Sequence, residues 1–338
     1  ENPGWRNKVT QYLTERFPET KFEFIDAGIA STGSTPGAFR LATEVLSKGR
    51  IDLFFEEAAV NDRTNGFQNQ AQVRGMEGIV RHMRVSNPLV DIVMMHCVDP
   101  EKIAEYTAGK IPNEIINHEL VASQYNANTI NWSKEVTARI AAAEFSWKED
   151  FRDLHPSKFG QEVYARSLIS YLNNAYGNIS SEAFPTNHLL PTPIDKFSYF
   201  DGNYADIKNA TILSKWSIDE KWVPKDGVGG RKQYMNRPAL VATEAGAEME
   251  LTFSGKAIGI CIASGPDAGV IEYSIDGKPF KKKDLYSQWS GVLHLPWYIV
   301  LEEELKNKQH TIRIRMSADK NEKSKGNACR ILHFLVNG

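Results

Sequence analysis

Ile51-Asp52-Leu53-Phe54-Phe55-Glu56-Glu57 runs straight into Ala58-Ala59-Val60-Asn61-Asp62, and the reading of this stretch decides the fold of the first half of the chain. Its apolar part is short and bounded by charge, the pattern of a parallel strand buried on both faces. Asn61 then falls just past the strand's C-terminal end, where open α/β sheets place their sites. A carboxamide there can donate a hydrogen bond to an oxyanion forming on a substrate. The competing reading is an Asn-Asp turn that caps the next segment.

Upstream, Trp5, Val9, Tyr12, Leu13 and Phe17 recur at helical spacing and Pro18 stops the run. Phe22-Glu23-Phe24-Ile25-Asp26 predicts a short strand. It leads into Ala27-Gly28-Ile29-Ala30-Ser31-Thr32-Gly33-Ser34, an uncharged loop of small residues, and then a helix from Pro36 to about Ser47. Strand, small-residue loop and helix in this order let a ligand approach bare backbone N–H groups.

Downstream, helices are expected over 71–85, 114–126, 133–143 and 158–175, and strands over 89–95 and 129–130. Asp99 to Pro112 reads as a loop, and His96 falls at a strand end. Helices alternating with strands mean a parallel sheet covered on both faces. Residues 1–176 therefore read as a three-layer α/β/α domain. The interval 177–195, with Pro185, Pro191 and Pro193, reads as a linker. Over 196–338 the grammar changes to short alternating strands, such as Glu248–Phe253, Ala257–Ile262, Val270–Ile275 and His310–Arg315, with turns such as Asp276-Gly277. That pattern predicts an antiparallel β-sandwich.

The 338 residues suit two domains. A hydrophobic content of 41% and a charged content of 24% are ordinary for a globular protein, and a net charge of -2 argues against a nucleic-acid partner. No apolar run approaches the roughly 20 residues that span a bilayer. Cys97, Cys261 and Cys329 show no metal-type spacing. Cys261 and Cys329 suit a disulfide or two buried thiols equally well. No metal or organic cofactor is expected.

In Asp153-Leu154-His155-Pro156-Ser157 an imidazole follows a carboxylate by two residues, in a turn ahead of an amphipathic helix. An imidazole held by a carboxylate is the base half of a nucleophilic-hydrolase triad. With Asp26-Ala27-Gly28-Ile29, Ala59-Val60-Asn61-Asp62 and Asp153-Leu154-His155-Pro156 in this order, residues 1 to about 176 resemble the SGNH hydrolases, the GDSL-type esterases and lipases. The resemblance implies a flavodoxin-like sheet and a serine nucleophile. It makes His155 the general base, and Asn61 and the Ser31 backbone N–H the oxyanion hole. Asp153 is expected to orient the imidazole, with Asp150 in reserve.

The chain departs from the family in three ways. The family usually has glycine where Ser31 and Ala59 stand, and the change at Ser31 is harmless unless φ is positive. The acid usually lies three residues before the histidine, where Arg152 stands. The family's nucleophile block and first strand should precede the first helix, so they are expected upstream of Glu1. Among internal serines, Ser34 is the weaker candidate nucleophile, and Ser157 is expected to cap the following helix.

The expected function is ester hydrolysis through an acyl-enzyme, directed at short acyl groups on small-molecule or polysaccharide substrates. Such a substrate goes with a secreted or periplasmic location. Trp289, Trp297 and Tyr298 could stack on sugar faces, although packing within the sandwich competes with that role. The rival functions are an inactive glycan-binding protein on a hydrolase scaffold and a lipase or lysophospholipase.

Overall fold

The computed structural model describes residues 4–178 and 183–338. Part of the expected linker, Ile179 to Glu182, lies outside the described residues. The chain forms two units. One comprises the residues up to Ala38 together with Glu44–Phe200, the other Phe39–Thr43 and Asp201–Gly338.

In chain order, the first unit carries α1 (Trp5–Arg16), the two ends of α2 (Ser34–Glu44, whose residues 39–43 are grouped with the second unit), β1 (Leu53–Glu56), α3 (Ala59–Thr64), α4 (Asn69–Ser86), β2 (Asp91–Met95), α5 (Pro100–Thr107), α6 (Asn113–Tyr125), β3 (Asn128–Ile130), α7 (Trp132–Ala141) and α8 (Lys158–Tyr176). The strands form a parallel sheet in the order β1-β2-β3, with Leu53 opposite Asp91 and Val93 opposite Asn128. Helix α8 runs antiparallel to β2. The Tyr176 hydroxyl donates to Asp91 at the start of that strand (2.5 Å), and the Tyr164 hydroxyl accepts the N–H of Val98 just beyond its end (3.0 Å). The N-terminus of α8, and the turn before it, therefore lie at the C-terminal end of the sheet, with Asn61.

Two expectations in this unit need correction. Phe22–Asp26 forms no ladder, and Phe24 and Ile25 are 48% and 38% exposed. The Phe22 and Phe24 rings nonetheless stack on one side at 5.5 Å. β propensity becomes a strand only beside a partner strand, and none pairs with this segment among the described residues. The expected loop after Asp99 contains α5, capped by the Asp99 carboxylate on the Lys102 N–H (2.9 Å), with Pro100 at its first position.

The second unit carries β4 (Gly202–Ala205), β5 (Thr211–Ser214), β6 (Ser217–Trp222), β7 (Arg237–Ala242), β8 (Glu248–Gly255), β9 (Ala257–Ser264), β10 (Val270–Ile275), β11 (Lys281–Asp284), β12 (Leu295–Glu302), β13 (Lys308–Met316) and β14 (Cys329–Asn337). They form antiparallel sheets in the orders β11-β10-β13-β8-β5 and β12-β9-β14-β7-β6, and β4 pairs with β14. Asp276 and Gly277 both have positive φ, 52° and 73°, as a tight hairpin turn requires. Met249, Leu251, Ile260, Ile262, Ile312, Ile314, Ile331 and Phe334 pack as one core cluster. Cys261 and Cys329 are separate buried thiols.

Within the interval expected to be a linker, residues 191–195 are laid onto α4. The Glu77 carboxylate, 0% exposed, accepts the N–H groups of Ile194 (2.6 Å) and Asp195 (3.0 Å) and the hydroxyls of Ser198 and Tyr125. Arg74 pairs with Asp195 at 2.7 Å, and Arg81 donates to the Pro191 carbonyl at 2.6 Å. Gly78 lets this segment approach closely, because a Cβ there would lie 2.8 Å from the Tyr199 backbone. Proline-rich composition signals a lack of regular structure, not a lack of contacts.

Candidate active site

The site is built at the C-terminal end of the parallel sheet, from the loop that ends at α2 and from α3, which follows β1. Asp62 is fully buried, and its Oδ1 accepts the Ser34 N–H at 2.8 Å. The same oxygen would lie 2.1 Å from a Cβ at position 33, so only glycine fits there. One helical turn on, the Asn65 carboxamide donates to the Ser31 carbonyl at 3.0 Å. These two contacts clamp the loop against the helix that carries Asn61. Asn61 is half-buried, and its carboxamide makes no hydrogen bond among the described residues. It is therefore free to donate to a ligand.

Ser31 has φ 68°, the left-handed region, so the substitution for glycine is not neutral. A side chain in that conformation costs about 1–2 kcal/mol. The clamp from Asn65 holds the loop in it. Ser34 is 0% exposed and its hydroxyl faces the Gln72 carbonyl at 3.4 Å, which removes it as a nucleophile.

His155 stands in the turn before α8, at the same end of the sheet as Asn61. Its side chain is 86% exposed and that of Asp153 is 63% exposed. Asp153 Oδ1 accepts the backbone N–H of His155 at 3.0 Å, and the imidazole Nδ1 lies 3.5 Å from the same oxygen. That backbone bond, helped by the neighbouring imidazole, holds the Asp153 carboxyl below the usual range. At 3.5 Å the imidazole is near the carboxylate without a good hydrogen bond. Asp150 accepts the Ser146 N–H at 2.7 Å, and Ser146 in turn caps Glu149. The reserve acid is therefore occupied as a cap, and no hydrogen bond joins it to His155 among the described residues. Ser157 caps α8 through the Gly160 N–H (3.3 Å).

Behind the loop and α3 lies a buried layer of charge that sequence reasoning missed. His118, on α6, meets Asp62 Oδ2 through Nε2 at 2.9 Å, both side chains being 0% exposed. His96, at the end of β2, is equally buried and meets Glu119 at 3.0 Å. Burial opposes a charge on His118, but the hydrogen bond and charge of Asp62, with Glu56 and Glu57, outweigh it and raise its pKa. In His96 burial prevails over Glu119 and lowers the pKa. Lys102 is also fully buried, against Asp99 and Glu114. Among the described residues no cluster of His, Cys, Asp or Glu is arranged to hold a metal ion. No described helix is long and apolar enough to cross a membrane.

The expected sugar-stacking residues part ways. Tyr298 is core: it is 5% exposed and its hydroxyl meets those of Tyr204 and Tyr234. Trp297 packs against the sandwich core. Trp289 alone is open, at 37% exposed. In β12 the alternation that makes a strand also turns every second ring inward, and sequence does not say which.

The sequence matches no protein family and no curated protein. The fold matches the crystal structure of a two-domain esterase (CEX) active on acetylated mannans, with a TM-score of 0.77 and 20% identity, over 99% of this chain and 85% of that one. The same esterase co-crystallised with mannopentaose matches to the same extent, again at a TM-score of 0.77 and 20% identity. At that identity the likeness establishes the fold: a parallel α/β unit followed by antiparallel sheets.

Proposed function

We propose that the protein is a serine ester hydrolase that removes short acyl groups, acetyl above all, from carbohydrates. The observation that carries this reading is the clamp of the Ser31–Ser34 loop onto the helix bearing an uncommitted Asn61, at the sheet end that also holds His155. The shared fold with a two-domain esterase supports it. A serine hydroxyl at this end would attack the acyl carbon while His155 takes its proton and Asp153 steadies the imidazole. The Asn61 carboxamide and the Ser31 N–H would receive the oxyanion, one such donor being worth about 3 kcal/mol. Water would then attack the acyl-enzyme, with His155 again taking the proton, and release the acid. A secreted or periplasmic location suits that substrate.

The test is turnover of 4-nitrophenyl acetate and of acetylated mannan by the native protein, with fluorophosphonate labelling to find the nucleophile. His155→Ala is expected to lower kcat by at least about 10³-fold, and Asn61→Ala by about 10²–10³-fold. Both variants should melt as the wild type does, because neither side chain carries packing. Full activity in His155→Ala would overturn the triad. A second reading, a glycan-binding protein without turnover, is favoured by the open imidazole and its 3.5 Å approach to Asp153. Saturable binding of manno-oligosaccharides with no ester cleavage would select it.

A further inference from the structure

We propose that His118, acting through Asp62, is a positioning residue for the Asn61 and Ser31 side of the site. What is positioned takes its meaning from the ester-hydrolase reading above. The positioning itself rests on contacts within the first unit. One buried carboxylate joins three elements: Asp62 sits on α3, its Oδ1 takes the Ser34 N–H at the start of α2 (2.8 Å), and its Oδ2 takes His118 Nε2 on α6 (2.9 Å). His118 Nδ1 is buried and has no hydrogen-bond partner among the described residues. Asp62 is thus the imidazole's one hydrogen-bonded tether there. Both side chains are 0% exposed, so neither touches substrate.

A buried carboxylate left with a single amide donor would turn or take up a proton. Either change weakens the bond that pins Ser34, three residues from the strained Ser31. Other charges face the imidazole from several sides. Glu56 and Glu57 lie at the end of β1 and raise its proton affinity. The His96 ring, which carries Glu119 on its far nitrogen, stands 5.9 Å away from the β2 side. Lys102 on α5, with Asp99 and Glu114, completes the surroundings and acts on His96 and Glu57. Asp62, Glu56 and Glu57 all favour a proton on the imidazole, and Asp62 is the one hydrogen-bonded to it among the described residues.

The experiment is an NMR titration of the whole chain that follows the His118 ring, the Ser34 amide and the Asn61 side-chain amide. All three should move with one midpoint above 6.5. Ser34 and Asn61 signals indifferent to the His118 titration would overturn the proposal. Two variants sharpen it. His118→Gln keeps an N–H donor and should retain slow exchange at Ser34, whereas His118→Leu should speed that exchange at least tenfold. Equal exchange in both variants overturns the proposal. Should the leucine variant fail to fold, the wild-type titration and the glutamine variant decide. Where the wild type cleaves aryl acetates, His118→Leu should lower kcat about tenfold or more with KM within twofold, and His118→Gln should restore it. A wild type without turnover but with the coupled titration sinks the hydrolase reading alone. Turnover without the coupling sinks this inference alone.

Discussion

The two units bury opposite things. The α/β unit takes Asp62, Arg74, Glu77, Arg84, Lys102 and Glu114 almost wholly out of water, whereas the buried polar residues of the sandwich are serines, His294, His310 and Asn337. Charge in the sandwich is less deeply buried, in exposed pairs such as Lys281–Glu302 and Arg313–Glu248 and in the partly buried pair Arg330–Asp267. Its stability comes from interlocked aliphatic residues, which any well-packed sandwich could supply. In the α/β unit the buried charges hold loops that no regular ladder holds. Glu77 fixes the segment after Ile194, and Asp62 fixes the loop at Ser34. Desolvating a charge is costly unless it is paired, so such groups persist where a loop must keep one shape. The comparison teaches that the site should be sought where charge is buried.

The largest expected effect tests that contrast directly. Asp62→Ala leaves a buried imidazole and an amide without their acceptor, and should lower stability by about 3–5 kcal/mol in urea melts below about pH 6.5. Ile331→Ala in the sandwich should lose a similar amount, about 2–5 kcal/mol, through a cavity. The two losses should separate by pH. His118 has a raised pKa in the folded protein, so its contribution is fully present below about 6.5 and is lost as pH rises through the folded value. The Asp62→Ala deficit should therefore shrink at high pH while the Ile331→Ala deficit stays constant. A pH-independent deficit for Asp62→Ala would break the comparison.

Next in size is an effect of opposite sign in the sandwich. His333 stacks on Tyr204 with ring centroids 4.0 Å apart, and burial, helped by the Arg237 cation, lowers its pKa to about 4. The folded state refuses a proton that the unfolded chain accepts, so stability falls as pH drops from about 6.5 through 4. The full loss is roughly 3 kcal/mol. His333→Phe should flatten that limb of the stability profile, and an unchanged limb would exclude His333 as its source. The smallest effect is expected at the surface. Lys281→Ala should change stability by at most about 1 kcal/mol, and less in high salt. A larger, salt-resistant loss would mean that the sandwich also depends on its charges.

Much of this was legible in residue order. Asn61 past the end of β1, the capping serine before α8 and the alternation in β8, β10 and β13 all lie within a few residues of their causes. The Asp99-Pro100 start of α5 is legible too, as an N-cap followed by proline. Other features were not local. Phe22–Asp26 has strand composition and no ladder, because a strand is made by its neighbour. Tyr298 and Trp297 are adjacent, yet one is buried against Tyr204 and Tyr234 and the other half-buried against the sandwich core. The segment after Pro185 has linker composition and still docks, because Glu77 on α4 faces it across more than a hundred residues of chain.

Periodicity and turn chemistry act over single turns and hairpins, so the order of residues was enough to assign the parallel α/β unit, the antiparallel unit after it and the place of Asn61 at a strand end. The pairing of Asp62 with His118, 56 residues apart, the left-handed Ser31 and the openness of His155 belong to the folded state alone. Each depends on which groups are driven from water together, and that is decided when distant segments share one interior.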